Sequence, residues 1–182
     1  MKGIVFREFI DHVASQYGED IVDEIIEAAN IPSHGAYTSV GTYDYQELLK
    51  LVTELSNRQG IPIATLTQNF GRYLATDVFS TKFPDFFSEV SNTIELLKKV
   101  EEHIHVEVRK LYPDAELPKF TFVSQNGNQY EFAYQSSREL ADLAHGLICG
   151  SSEIYNENID IERQESTKEG IKTTIFILTC VE

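Results

Sequence analysis

The stretch Tyr134-Gln135-Ser136-Ser137-Arg138 reads Tyr-x-Ser-x-Arg. Two hydroxyls and a guanidinium so close together suit a ligand with neighbouring carboxylates. The planar fork of an arginine grips one carboxylate, and the hydroxyls donate to the rest. In an extended segment, alternate residues share a face, so Tyr134, Ser136 and Arg138 would meet one edge of such a ligand. The same types also make a strand-end tyrosine, a helix-capping serine and a solvated arginine. Upstream stands His105, in Ile104-His105-Val106-Glu107-Val108, followed by Lys110-Leu111-Tyr112-Pro113. A neutral imidazole is a standard axial ligand of haem iron. Haem has one iron and two propionates, so the histidine and the trio match its two ends. A lone histidine is more ordinarily a core residue bonded to a backbone carbonyl.

The elements that position these residues can be read from apolar spacing. Val5, Phe9, Val13 and Tyr17 recur at helical intervals, and Gly18 ends that run. Asp20–Asn30 repeats the pattern with Ile21, Ile25 and Ala28, and Pro32–Gly41 is a loop. Tyr45–Arg58 places Leu48, Leu49, Val52 and Leu55 on one face before Gly60. Ile63–Phe79 follows, with Leu66, Phe70, Tyr73 and Leu74 inward, and Pro84 breaks the run. The spacing then predicts one long helix over Ser88–Leu111 with Val90, Ile94, Leu97, Ile104, Val108 and Leu111 inward. His105 falls on that inward side, whereas His103 shares the wet side with Lys99 and Glu107.

The texture changes near Pro113. Phe120-Thr121-Phe122-Val123 is β-rich, Asn126-Gly127 is a hairpin signal, and Tyr130–Tyr134 resumes a strand. Glu139–Tyr155 reads helical, Ile159–Gln164 alternates, Glu169-Gly170 turns and Ile171–Val181 is a strand. The expected fold is α+β: a helical N-terminal lobe, and a C-terminal lobe with an antiparallel four-stranded sheet and an inserted helix. The length suits a single domain over 1–182 with lobes of roughly 1–65 and 66–182.

Net charge is −14, which disfavours a phosphate-backbone partner, so no nucleic acid is expected. Cys149 and Cys180 are too few for a disulfide scaffold and read as free thiols in a reducing compartment. Phe6-Arg7-Glu8 interrupts the first apolar run, so no leader is expected. No apolar stretch approaches the ~20 residues that span a bilayer. A cytoplasmic protein without a membrane partner is the expectation.

On its motifs, the chain resembles the haem-nitric oxide/oxygen binding (H-NOX) family, in its bacterial stand-alone form, related to the haem domain of soluble guanylate cyclase. The resemblance runs from Met1-Lys2-Gly3 through Phe70-Gly71-Arg72, His105, Leu111-Tyr112-Pro113 and the Tyr-x-Ser-x-Arg trio to Gly146-Leu147-Ile148. It implies haem b held between the lobes, with His105 on the iron, Tyr134, Ser136 and Arg138 on the propionates, and Pro118 pressing the macrocycle out of plane. O₂-binding members place a distal tyrosine five residues after the clamp arginine, where this chain has Leu143. Their supporting polar position falls on Leu74 and their aromatic partner on Phe9. The implied distal wall of Val5, Phe9, Leu74, Leu143 and Leu147 is apolar, which favours NO over O₂, and CO is a further expected ligand.

The same resemblance implies a non-enzymatic sensor. NO at ferrous iron releases His105, the haem relaxes, and one lobe shifts against the other. No output domain follows Glu182, so the expected partner is a separate sensor histidine kinase or cyclic-di-GMP enzyme. The zinc site of some members, three cysteines and a histidine, is not expected, because Ile159–Gly170 holds neither residue. Alternatives are an O₂-binding sensor, a haem-free scaffold, or a haem enzyme of the peroxidase or NO dioxygenase type. An enzyme needs a distal histidine or arginine. His145 is the nearby candidate, two positions off the expected pocket face. In the clamp, Arg138→Ala is expected to lower haem retention more than Ser136→Ala, since it removes the charge-assisted pair. The Soret-to-protein absorbance ratio after desalting measures this, and equal ratios would refute the ranking.

Overall fold

Helical spacing governs the first of the two compact units, Met1–Phe70, in the computed structural model, which describes residues 1–138, 140–168 and 171–181. Helix α1 (Gly3–Tyr17) buries Phe6, Phe9 and Val13, α2 (Glu19–Ala29) buries Val22, Ile25 and Ala29, and α3 (Tyr45–Gln59) buries Leu48, Leu51, Val52 and Leu55. The inward stripes differ from the expected ones. Ala28 and Leu49 are exposed, and Val5 and Tyr17 are half-buried. In α3 the buried set follows an i, i+3, i+4, i+7 stripe, which leaves Leu49 on the outer side. Gly60 closes α3 by donating its N–H to Ser56 O.

No side chain caps the start of α1. Its first amides are satisfied by the loop after α2: Gly3 N–H donates to Gly41 O at 2.8 Å and Ile4 N–H to Ser39 O at 3.1 Å. This approach needs glycine, since a Cβ on Gly3 would lie 1.9 Å from Thr38 O. The loop itself is pegged from inside. Tyr37 stacks on Phe6 with ring centroids 4.5 Å apart. The buried Glu47 carboxylate accepts from Ser33 Oγ and, at 2.9 Å, from Tyr37 OH.

Helix α4 (Ile63–Tyr73) crosses into the second unit, Gly71–Glu182. It continues as a π-wound turn over Leu74–Phe79, where Ser80 N–H reaches back five residues to Ala75 O. Two short helices follow, α5 (Ser80–Lys82) and α6 (Pro84–Ser88), the latter opened by Pro84. The single helix expected over Ser88–Leu111 does not form. Instead α7 (Thr93–Lys98) starts after Asn92, whose side chain accepts the Glu95 N–H, while the Glu95 carboxylate accepts the Ser91 N–H. Such a local cap restarts a helix. A second π-wound turn spans Val100–Ile104 and leads into α8 (His105–Leu111). Val90 therefore lies outside the helix, and Leu111 is 59% exposed rather than inward.

The sheet contains β1 (Lys119–Asn126), β2 (Gln129–Gln135), β3 (Asn158–Lys168) and β4 (Ile171–Val181) in the order β1-β2-β4-β3, with antiparallel neighbours. Asn126 pairs with Gln129, so the hairpin loop is Gly127-Asn128, one residue later than expected. Helix α9 (Ala141–Ile154) is inserted between β2 and β3. Its Ile148 joins Phe120, Phe132, Tyr134, Phe176 and Leu178 of the sheet in one core, where Phe120 and Phe132 stack at 5.2 Å. The α+β expectation is thus met. The Glu169-Gly170 turn lies outside the described residues. Among those described, no helix is long and apolar enough to cross a membrane.

Gly3→Ala is expected to cost about 1–3 kcal/mol, the usual range for forcing a methyl into a packed site. Thermal unfolding would show this as a melting point several degrees lower, and an unchanged midpoint would mean that the loop yields freely.

Candidate functional site

His105 opens α8 directly after the π-wound turn, with its own amide bonded to Val100 O. Its side chain is buried, while that of His103 is exposed. Nδ1 lies 2.9 Å from Glu101 Oε1. An ionised carboxylate only accepts, so Nδ1 carries the proton and Nε2 keeps its lone pair. Burial, ahead of the attraction of Glu101, lowers the His105 pKa and favours the neutral ring. A neutral imidazole with an anchored Nδ1–H and a basic Nε2 is the form that ligates iron. This donor chemistry fits a haem. The same Glu101 oxygen accepts the Phe120 N–H at 2.6 Å, so one carboxylate joins the histidine to the first residues of β1. Glu101 was not legible as a site residue. The signal available was an acid four positions before the histidine.

The expected trio comes together by another route. β2 ends at Gln135, and residues 136–138 form a turn in which Ser136 Oγ accepts the Arg138 N–H at 3.1 Å. Period-two alternation therefore does not align the three side chains. Tyr134 is 5% exposed and packs edge-on against Phe176. Burial raises its phenol pKa, while hydrogen bonds from Ser136 and the Leu140 backbone, and the charge of Arg138, pull the other way. So Tyr134, Ser136 and Arg138 share one neighbourhood. The Arg138 guanidinium donates to Glu116 O at 2.7 Å and to Glu116 Oε2 at 2.8 Å. The Glu116 side chain is 77% exposed, so this ion pair is weak and can be shared with another carboxylate. Pro118, half-buried, lies between Glu116 and Phe120, the two points at which its segment is fastened.

The residues expected on the distal side are apolar in each unit. In the first, Phe9 is 1% exposed and meets Phe70 edge-on at 5.2 Å, and Val5 is half-buried. In the second, Leu74 is buried in the first π-wound turn, and Leu143 and Leu147 sit half-buried on α9. The last turn of α4 approaches α9 closely at Gly71, where a Cβ would lie 2.4 Å from Leu143 O and 3.0 Å from Leu147 N. His145 lies elsewhere on α9, with its ring edge-on to Phe176 of β4 at 6.3 Å and its Nδ1 buried without a hydrogen bond. Burial, then Arg163, lowers its pKa against the opposing pull of Asp142. Burial, then Glu153, raises the Cys149 pKa, which keeps it a poorly reactive thiol.

The haem-NO-binding family model matches residues 2–163, and the chain belongs to that family, whose domains bind haem and act as gas sensors. Among solved structures, the Fe(II) unliganded H-NOX protein from K. algicida is 36% identical with a TM-score of 0.91, over 100% of this chain and 97% of that one. An H-NOX protein from S. oneidensis in the Fe(II)NO ligation state is 26% identical with a TM-score of 0.89, over 100% of both. Soluble guanylate cyclase gcy-35 of Caenorhabditis elegans is 22% identical over 191 residues. That match takes in all of this chain but 28% of the relative's length.

The depressed His145 pKa has a consequence for stability. The unfolded chain takes up the proton first, near pH ~6.5. The neutral ring's contribution is therefore complete above that pH and is lost as pH falls toward the lower folded-state pKa. Denaturant midpoints at about pH 7.5 and 5.5 should diverge more for the wild type than for His145→Gln. Equal divergence would show that this ring is free to charge in the fold.

Proposed function

We propose that this protein is a haem b sensor that binds NO at ferrous iron, discriminates against O₂ and signals to a separate partner protein. The observation that carries the reading is His105: a buried, neutral imidazole with Nδ1 committed to Glu101 and Nε2 left to donate. His105 would hold the iron, and Tyr134, Ser136 and Arg138 would hold the propionates. Arg138 would bind a propionate while sharing or exchanging Glu116. Bound haem would supply an open iron position for a diatomic gas, and His105 would be the protein ligand whose hold on the iron NO would loosen.

The chain's own residues decide which gas is kept. A pocket that kept O₂ would have to offer it a hydrogen-bond donor, whereas one that kept NO would depend on such a donor far less. The distal positions implied by the resemblance, Val5 and Phe9 in the first unit and Leu74, Leu143 and Leu147 in the second, carry no donor in their side chains. The ring of His145, the candidate of the enzyme alternative, is engaged with the sheet through Phe176, which favours the sensor reading. On the proximal side, release of His105 would free α8 and unload the segment that holds Pro118. The partner implied by the resemblance is a sensor histidine kinase or a cyclic-di-GMP enzyme, and CO is a second gas it would bind.

An anaerobic absorption spectrum of the reduced protein tests this directly. We expect a high-spin five-coordinate ferrous band that becomes a five-coordinate nitrosyl band with NO and gives no oxy band in air. A stable oxy band would overturn the NO selectivity, and absence of any Soret band after expression with haem would overturn the haem reading.

A further inference from the structure

We infer that Glu101 is a positioning residue that sets the strength of the His105–iron bond and couples that ligand to the backbone next to Pro118. This rests on the haem reading above. Glu101 Oε1 receives two donors at once, His105 Nδ1–H at 2.9 Å and Phe120 N–H at 2.6 Å. The acceptor and its histidine donor lie in a partly dry setting, since the Glu101 side chain is 28% exposed and that of His105 11%. Hydrogen bonds to a charged acceptor in such a setting are strong. A carboxylate that draws on Nδ1–H pushes electron density toward Nε2 and makes it a better ligand. It also fixes the plane of the ring. The second bond gives the same carboxylate a hold on β1, two residues beyond Pro118. A change in the position of His105 is thereby passed to the start of the strand through one side chain, without help from the intervening loop.

Haem-loaded wild type, Glu101→Gln, Glu101→Ala and, as a control, Glu107→Gln on α8 decide the matter. Glu107 pairs with Lys110 and does not touch the histidine. The readouts are the iron–histidine stretch of the ferrous protein by resonance Raman and the ferric/ferrous midpoint potential. Glu101→Gln keeps an acceptor for the backbone amide while removing the charge, so it preserves the fold that Glu101→Ala risks. We expect a lower stretching frequency and a higher potential in Glu101→Gln, a further shift in the same direction in Glu101→Ala, and no change in Glu107→Gln. A wild type that shows the iron–histidine band, with Glu101→Gln unmoved in both readouts, overturns this inference and leaves the haem reading standing. A wild type that shows no Soret band overturns both.

Discussion

One oxygen atom, Glu101 Oε1, carries two obligations, the Nδ1–H of His105, 4 residues on, and the N–H of Phe120, 19 residues on. Much of the second unit is organised around this pair of bonds. They select the tautomer of the histidine, hold the imidazole at the start of α8 and fasten the first hydrogen-bonded residues of the sheet. The short stretch from Glu116 to Phe120, which includes Pro118, is then held at one end by the Glu116–Arg138 pair and at the other by Glu101. Two carboxylates of unequal exposure do this. Glu101 is half-buried and its bonds are strong, whereas Glu116 is mostly in water and its bond is easily exchanged.

Much of the architecture could be read from residue types. The first helical stripes, the punctuation at Gly18, Gly60 and Pro84, the β-rich texture after Pro113 and the best strand, Ile171–Val181, all appear where local chemistry puts them. The errors have local causes too. Ala28 and Leu49 are apolar but sit a step off the inward stripe, and small or flexible apolar side chains tolerate exposure. The long helix over Ser88–Leu111 failed because its start signal, Asn92 followed by Glu95, is a cap inside an otherwise helical pattern. Apolar periodicity alone does not reveal such a restart.

At the site, the types His, Tyr, Ser and Arg were legible, but how they are arranged was not. The trio was expected from strand alternation, and the chain instead leaves the strand at Gln135 and brings Ser136 and Arg138 round in a turn. Glu101 escaped because an acid four residues before a histidine is commonplace on a helix, and only the sheet packed against it gives that acid its second bond. The close approach of α4 to α9 at Gly71 and Gly146 could not be read from the two glycines themselves. Its reason, contact with the backbone of Leu143 and Leu147, belongs to tertiary packing.

The π-wound turn ahead of His105 has a bearing on how this chain can change over time. In that turn the amide of His105 bonds five residues back, to Val100, so the turn holds one residue more than an α-turn would. Loss of a single residue anywhere within Val100–Ile104 would let the backbone close as an ordinary helix while every helix and strand survived. The His105 amide would then bond the same Val100 carbonyl as an α-turn, keeping its direction, while Glu101, for a loss after it, would stand three residues before the histidine instead of four. Insertions and deletions are usually harmless in loops and ruinous in cores. Here a deletion would keep the direction of the histidine and change its spacing from the acid that holds it, so residue count in this short stretch is under a constraint separate from residue identity.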